Sequence, residues 1–486
     1  MIRRSFFFSF AQKYSQLAFR TISLVVLARL LTPEDFGVFA TGQAIIHFIT
    51  VLAEFGMTRY LIQEKDLTPE REGTVLGISL IATLLTCIGV YLAVGFYRGD
   101  FWDDQMAMVV GILGLNLVLQ PVSLPAMAML QREMRFDTLF YVGLFKAAAN
   151  VGVAILLAWM GYGFLALAWG LAAEQFVATL FAVGVLRRYP LRRPTLKAWR
   201  EVFNFGKLIT GIGLLHEFGL MSTMVVGGKF LGDAAVGLLS RGQAITSMFD
   251  RIILQAVSPV ILPALSKAAR EGRDLKPLYM TKLAFLSVAA WPFFLFVALF
   301  AEPLVHVVLG DKWAEAVPVV RILAASGVFL PFIHLSIQFI IICGTLDVFM
   351  RRLAVAEGLR LCLTIGLAQI SLTWLAAGLI VDAAVKAYVM QKPIKMKLGY
   401  RRAEVWGAMW PSLVVTALCG VAMLPVAYGL AQHGDWVRLV AGAGACGAAW
   451  VGAALLVHPQ VKGELVHLVG AVRRRLSRRD VPAALG

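Results

Sequence analysis

The feature that most constrains this chain is a series of long apolar segments that recurs along almost the whole sequence. Each segment is close to the ~20 residues that a helix needs to cross the hydrocarbon core of a bilayer. The sequence therefore predicts an all-α polytopic membrane protein of about 14 transmembrane helices joined by short loops. The predicted spans are residues 8–30, 36–56, 74–97, 106–130, 138–160, 162–186, 205–226, 236–262, 283–301, 318–343, 354–372, 374–391, 408–430 and 437–457.

Composition excludes the main soluble classes. Only 15% of the residues are charged and 59% are hydrophobic, whereas an ordinary soluble domain carries about a quarter charged residues. This deficit excludes a soluble enzyme, a disordered protein and a nucleic-acid-binding module. The formal net charge of +16 therefore does not indicate a nucleic-acid partner.

The positions of the basic residues predict the orientation of the chain. With the N-terminus inside, the inner segments hold 32 of the 45 Lys and Arg residues and the outer segments hold 4. Cytoplasmic loops of membrane proteins carry this excess. Both termini are therefore predicted to lie on the cytoplasmic side.

The longest inner linker suggests how the spans divide. Residues 187–204 are basic and contain two prolines, which is typical of a joint between two halves. The prediction is an N-terminal bundle at 1–186, a C-terminal bundle at 205–391 and two additional spans within 392–457. The basic tail at 458–486 is predicted to bind the surface of anionic lipid.

An internal repeat supports two related halves. Residues 25–46 and 225–246 align at an offset of 200 without a gap, and 8 of the 22 positions are identical. Six predicted spans separate the copies, so both copies have the same orientation. The repeat predicts a parallel duplication, with two pseudo-symmetric bundles enclosing a midplane cavity that opens alternately to each side.

Several cationic residues lie inside the predicted spans, where each costs roughly 2.5–3.5 kcal/mol on insertion scales. Such residues face a cavity or a partner. A cationic cavity would take an anionic substrate, and the arginine fork suits a diphosphate. The alternative is ion pairing, which the spacing of Glu357 and Arg360 favours on one helix and which Arg20 and Lys146 would need across helices. The candidate substrate-binding cations are Lys13, Arg20, Lys146, Arg241, Arg251 and Arg360.

Four other ionisable residues are candidates for ion or proton coupling. His47 and Glu54 share one face of the second span, and a histidine on such a face can carry a proton. Glu174 lies in the sixth span and Asp250 in the eighth. The alternative for Asp250 is neutralisation of its neighbour Arg251.

Motifs for other chemistries are absent from the sequence. There is no P-loop, HExxH or GxSxG pattern, so the prediction is a non-enzyme with no cofactor and no metal. The string at Gly442–Gly447 matches GxGxxG but lies inside an apolar span, which favours close helix packing over nucleotide binding. The five cysteines lie in apolar runs and are interpreted as small buried hydrophobes.

Four segments carry a family resemblance that covers about residues 1–390. They resemble Wzx-type flippases of lipid-linked oligosaccharides, within the multidrug/oligosaccharidyl-lipid/polysaccharide exporter superfamily. Colanic-acid-type exopolysaccharide exporters are the nearest type. The segments are LARLLTPEDFGVFA at Leu27–Ala40, EFGMTRYLIQEKDLTPE at Glu54–Glu70, FNFGKLITG at Phe203–Gly211, and the stretch Lys229–Leu275.

The resemblance implies two bundles in a V shape around a basic cavity. It implies transfer of an undecaprenyl-diphosphate-linked repeat unit between leaflets of the bacterial inner membrane, for exopolysaccharide or lipopolysaccharide synthesis. Alternating access would be coupled to an ion gradient, and a polymerase or export machinery would be a partner. By position, Arg20 and either Arg241 or Arg251 match the cavity arginines of family relatives.

Two alternatives stay open at the level of the sequence. An ion-coupled multidrug antiporter of the same superfamily predicts an acidic interior, whereas the interior here is net basic. A membrane-embedded glycosyltransferase or ligase predicts a sizeable outer catalytic loop, whereas the longest predicted outer loop runs only from about Glu302 to Val317.

Overall fold

The computed structural model describes residues 2–64, 66–96, 104–187, 192–254, 265, 269 and 271–457. Within these ranges the regular structure is helical throughout, with no strand. The α-helices are α1 Ile2–Leu30, α2 Pro33–Glu54, α3 Met57–Gln63, α4 Pro69–Phe96, α5 Asp104–Arg132, α6 Phe136–Trp159, α7 Phe164–Leu186, α8 Trp199–Leu231, α9 Asp233–Thr246, α10 Leu275–Leu299, α11 Ala301–Val308, α12 Ala316–Ser326, α13 Leu330–Cys343, α14 Leu346–Ala368, α15 Leu372–Leu398, α16 Arg402–Gly429 and α17 Asp435–Val457.

Eleven helical stretches of the described residues are long and apolar enough to cross a membrane. Each of the fourteen predicted segments overlaps a helix, and the short break between α14 and α15, at residues 369–371, lies two residues before the predicted break at residue 373. Helices α1 and α14 are outside the eleven, and each carries five charged residues. The multi-pass all-α prediction is therefore confirmed, while the count of fourteen stays a prediction.

The helices form two compact units. Unit 1 comprises Met1–Ala256, Val308–Val319 and Met350–Asp382. Unit 2 comprises the remaining stretches of the chain. All ten candidate site residues belong to unit 1. The predicted bundles at 1–186 and 205–391 stay a prediction.

In unit 1 the two copies of the repeat pack against each other. Each copy contains the end of one helix and the start of the next, at α1–α2 and at α8–α9. A Cβ added to Gly37 would collide with the carbonyl oxygen of Asp233, and one added to Gly237 would collide with that of Pro33. Positions 37 and 237 are equivalent in the repeat, and so are positions 33 and 233. The contact of Gly37 with Asp233 is therefore equivalent to the contact of Gly237 with Pro33, as in a pair related by a local two-fold axis. Only glycine permits this approach of the two backbones.

The described part of the basic linker lies along the start of α4. The Thr195 amide donates to the Gly73 carbonyl at 3.0 Å, and the Ala198 amide donates to Thr74 Oγ1 at 3.2 Å. Arg192 also pairs with Glu72 at 3.4 Å. Residues 188–191 and the tail at 458–486 lie outside the described residues. The described linker is thus docked on unit 1 by backbone and side-chain bonds.

In unit 2 the glycine string packs as predicted. The ring of Phe300 lies directly on Gly442, where a side chain would collide with it. Phe300 is fully buried in a cluster with Val415, Cys419 and Met423. The first glycine of the string therefore serves close helix packing.

Candidate functional site

Three arginines of unit 1 form a cationic cluster. Arg20 is exposed on α1, Arg241 lies on α9, and Arg251 lies in the π-turn at Asp250–Leu254. The charge of Arg251 acts on Arg241, and the charge of Arg20 acts on Arg251. Arg251 therefore lies within electrostatic range of both Arg20 and Arg241, so the structure groups Arg20 with both of the arginines, Arg241 and Arg251, between which the family resemblance left the choice open.

Arg241 is held by an aromatic ring. Its guanidinium lies over Phe36 at 4.2 Å from the ring centroid, within the range of a cation–π interaction. Its Nε is buried and has no hydrogen-bond partner among the described residues. The group is thus positioned without a hydrogen bond at Nε, which keeps a donor available for a ligand.

A buried tryptophan supports this ring. Trp313 is fully buried and meets Phe36 edge to face, with centroids 5.5 Å apart. Its Nε1 donates to the Ala28 carbonyl at 2.8 Å, and Lys312 Nζ donates to the Arg29 carbonyl at 3.0 Å. These bonds satisfy carbonyls at the C-terminal end of α1, where a positive charge is also favourable. Burial lowers the pKa of Lys312, and Asp35 opposes that shift.

An acid offsets part of the positive charge. Asp250 acts electrostatically on Arg251, as the alternative for this residue anticipated. Together the three arginines and Asp250 still carry a net positive charge. This corner of unit 1 can attract an anion such as a phosphate.

Lys146 lies in an ion pair between helices. Its Nζ is 3.6 Å from Glu174 Oε1, and Asn150 Nδ2 donates to Glu174 Oε2 at 2.8 Å. The geometry matches the cross-helix alternative. Lys13 is partly exposed on α1, three residues before Gln16, whose amide packs against Gly143 of α6.

Arg360 also lies among acids. It is 5% exposed, and its Nη1 is 3.6 Å from Asp382 Oδ2 and 4.0 Å from Glu357 Oε2. Its Nε donates to Thr223 Oγ1 at 3.1 Å. This geometry supports the ion-pair interpretation, and contact of Arg360 with substrate stays a prediction.

A cavity of about 190 Å³ lies between α2, α5 and α7. The structure brings His47 and Glu174 together here, while Glu54 is not part of the lining. Sequence reasoning missed the amides of α5 and α7 because it searched for charges. A usable signal was present, since Asn116 and Gln120 are spaced i, i+4 in an apolar span. The lining residues are Gln43, Ile46, His47, Thr50, Leu113, Asn116, Gln120, Leu171, Glu174 and Gln175.

Comparison with family models gives one match. Residues 26–318 match the model described as "Polysaccharide biosynthesis protein". The match includes the first copy of the repeat from its second residue on, the whole second copy, and every candidate site residue except Lys13, Arg20 and Arg360.

Curated proteins and solved structures similar to the chain include the following three. The succinoglycan biosynthesis transport protein ExoT of Rhizobium meliloti is 25% identical over 68% of this chain and 67% of its own length. The teichuronic acid biosynthesis protein TuaB of Bacillus subtilis is 22% identical over 58% of this chain and 59% of its own length. A structure of the lipid II flippase MurJ in an inward closed conformation matches with a TM-score of 0.72 and 12% identity, over 93% of this chain and 98% of that one. At that identity the likeness to MurJ concerns the fold alone.

Proposed function

The chain belongs to the family of polysaccharide biosynthesis proteins, and on this premise we propose that it is a flippase for lipid-linked oligosaccharides. Its substrate would be an undecaprenyl-diphosphate-linked repeat unit for exopolysaccharide or lipopolysaccharide synthesis. The names of its relatives support transport, because ExoT is a transport protein and MurJ a flippase. The protein is a transporter and not an enzyme.

The observation that carries the substrate class is the cluster of Arg20, Arg241 and Arg251. A diphosphate offers several oxygens to the planar guanidinium groups, which bind them by paired hydrogen bonds. Like charges that repel each other in the empty protein are stabilised when an anion enters between them. The prenyl tail of such a substrate stays in the bilayer meanwhile.

The finer topology belongs to the same proposal. Fourteen spans would form two pseudo-symmetric bundles that alternate access to the two faces of the bacterial inner membrane, with both termini cytoplasmic. The matching helix breaks at residues 31–32 and 232 support the internal duplication. Polysaccharide polymerase or export machinery would receive the translocated unit.

The two alternative functions, a multidrug antiporter and a membrane-embedded glycosyltransferase or ligase, fit the observations less well than a flippase does. A drug antiporter for cations would place positive substrates beside a net-positive cluster, which costs electrostatic energy. A glycosyltransferase or ligase does not fit a family of transporters.

The test is export by variants of the cluster. Arg20→Gln and Arg251→Gln, singly and together, should reduce export of polysaccharide in cells that lack the native copy. The neutral glutamines keep polar side chains but lose the charge that attracts phosphate. Arg273→Gln is the matched control, because Arg273 is exposed and pairs with Glu271 at 2.8 Å.

Export is measured as surface polysaccharide per unit of protein in the membrane. The expected order is a large loss in the double variant, partial losses in the single variants and none in the control. Full export by the double variant at normal protein levels would exclude the arginine cluster as the phosphate site.

A further inference from the structure

The cavity between α2, α5 and α7 is polar but electrically compensated. Its lining contains one carboxylate, Glu174, and that carboxylate is paired with Lys146 at 3.6 Å and bonded to Asn150 at 2.8 Å. Around it the polar groups are amides, a hydroxyl and the His47 imidazole. Such a lining favours a neutral polar ligand over an ion.

Two side-chain amides of this cavity, those of Asn116 and Gln120, have unsatisfied hydrogen-bond acceptors. The side-chain oxygens of Asn116 and Gln120 are buried and have no hydrogen-bond partner among the described residues. Leaving a buried acceptor without a partner costs free energy, and such groups in a folded protein call for a ligand or water. Nearby, Gln175 donates to Ser123 Oγ at 2.8 Å and is therefore satisfied.

Sugar hydroxyls match this arrangement. Each hydroxyl donates one hydrogen bond and accepts others, so it satisfies an amide in either orientation of its oxygen and nitrogen. Ile46, Leu113 and Leu171 supply an apolar wall for the C–H face of a pyranose ring. The volume of about 190 Å³ is below the ~300–1,000 Å³ of pockets for whole small molecules, which suits one sugar residue.

We propose that this cavity binds one neutral monosaccharide residue of the lipid-linked substrate, with Asn116 and Gln120 as the residues that select it. The inference rests on the proposed flippase function and extends it from the diphosphate to the sugar. The arginine cluster would bind the part that all such lipids share, and the cavity would distinguish among the sugars they carry.

The test compares two probes on purified full-length protein in detergent. One is undecaprenyl diphosphate without sugar, and the other is the undecaprenyl-diphosphate-linked repeat unit extracted from cells that lack the transporter. The variant is Asn116→Leu with Gln120→Met, which keeps side-chain volume but removes both amides. Gln369→Met is the matched control, because Gln369 lies just after α14 and its exposed amide bonds only to the Ile365 carbonyl of α14 among the described residues.

Wild-type protein and the control should bind the sugar-bearing probe more tightly than the sugar-free probe. The double variant should lose about tenfold in affinity for the sugar-bearing probe, as expected for two hydrogen bonds, and should bind the sugar-free probe unchanged. Its melting temperature without ligand should not fall, because no internal hydrogen bond of the two oxygens is lost. A purely structural role would lower it instead.

Equal preference for the sugar-bearing probe in the variant and wild type would overturn the sugar site and leave the flippase proposal intact. Binding of neither probe by wild-type protein would overturn both. Thermal stabilisation by NaCl relative to choline chloride that the double variant abolishes would assign the cavity to a cation and overturn the sugar site.

Discussion

At the scale of single residues, the buried charges of unit 1 differ in the partners that surround them. Arg360 lies within 4.0 Å of two carboxylates. Arg241 instead lies on a ring and near a second arginine. A charge at a partly buried site without opposite charge is costly, and the arrangement at Arg241 supports the binding role proposed for it.

Replacing Arg360 with Met should destabilise the protein strongly. Glu357 and Asp382 are 1% and 8% exposed, and they would stay buried without this cation. Breaking a buried ion pair from one side costs about 3–5 kcal/mol. The midpoint of denaturant unfolding in detergent measures the loss.

Arg351→Met on the same helix is the control for Arg360, because Arg351 is exposed. It should leave the midpoint nearly unchanged. Adding Glu357→Gln and Asp382→Asn to Arg360→Met should recover part of the stability, since the two buried side chains then carry no charge. An unchanged midpoint in Arg360→Met alone would show that the three groups are not a structural unit.

The sequence predicted which charges lie in spans but not all of their roles. The i, i+3 spacing of Glu357 and Arg360 was enough to predict an ion pair, because both lie on one helix. The pairing of Lys146 with Glu174 joins α6 to α7, and no spacing within one helix encodes it. The support of Arg241 by Phe36 and Trp313 joins segments almost 280 residues apart, so it required the tertiary structure.

At the scale of helices, the contact between α2 and α9 depends on two glycines. Gly37→Ala should push the backbones apart, because its Cβ would collide with the Asp233 carbonyl. Overpacking of this kind costs roughly 1–3 kcal/mol. The equivalence of the repeat predicts the same loss for Gly237→Ala, and unfolding in detergent measures both.

The matched control is Gly152→Ala in α6, where no atom lies within 4 Å of an added Cβ. This change should raise stability by roughly 0.5–1 kcal/mol, since alanine favours the helical state. Gly37→Ala is therefore expected to lower the stability of the protein, whereas Gly152→Ala is expected to raise it. Similar effects at positions 37 and 152 would mean that the close crossing does not exist.

At the scale of the whole molecule, the recurrence of long apolar segments along the sequence was sufficient to predict the all-α membrane fold class. Backbone groups in hydrocarbon must be bonded within their own segment, so long apolar runs are restricted to helices. This is why every predicted span overlaps a helix. The docking of the linker on α4 was not predictable, because Thr195 contacts Gly73 through bonds that involve no apolar pattern.

The count of fourteen spans depends on the turn between α14 and α15. Ile370 lies in that turn and is 61% exposed. If α14 and α15 each cross the bilayer, position 370 lies outside, residues near Arg402 lie inside, and His433 lies outside.

We expect Ile370→Cys and His433→Cys, each in a background free of the five native cysteines, to react with a membrane-impermeant maleimide in intact cells. Arg402→Cys should react only after permeabilisation. Labelling of Ile370→Cys that also requires permeabilisation would show that position 370 is not on the outer side. In that case α14 and α15 would not each cross the bilayer as predicted, and the fourteen-span topology would be wrong.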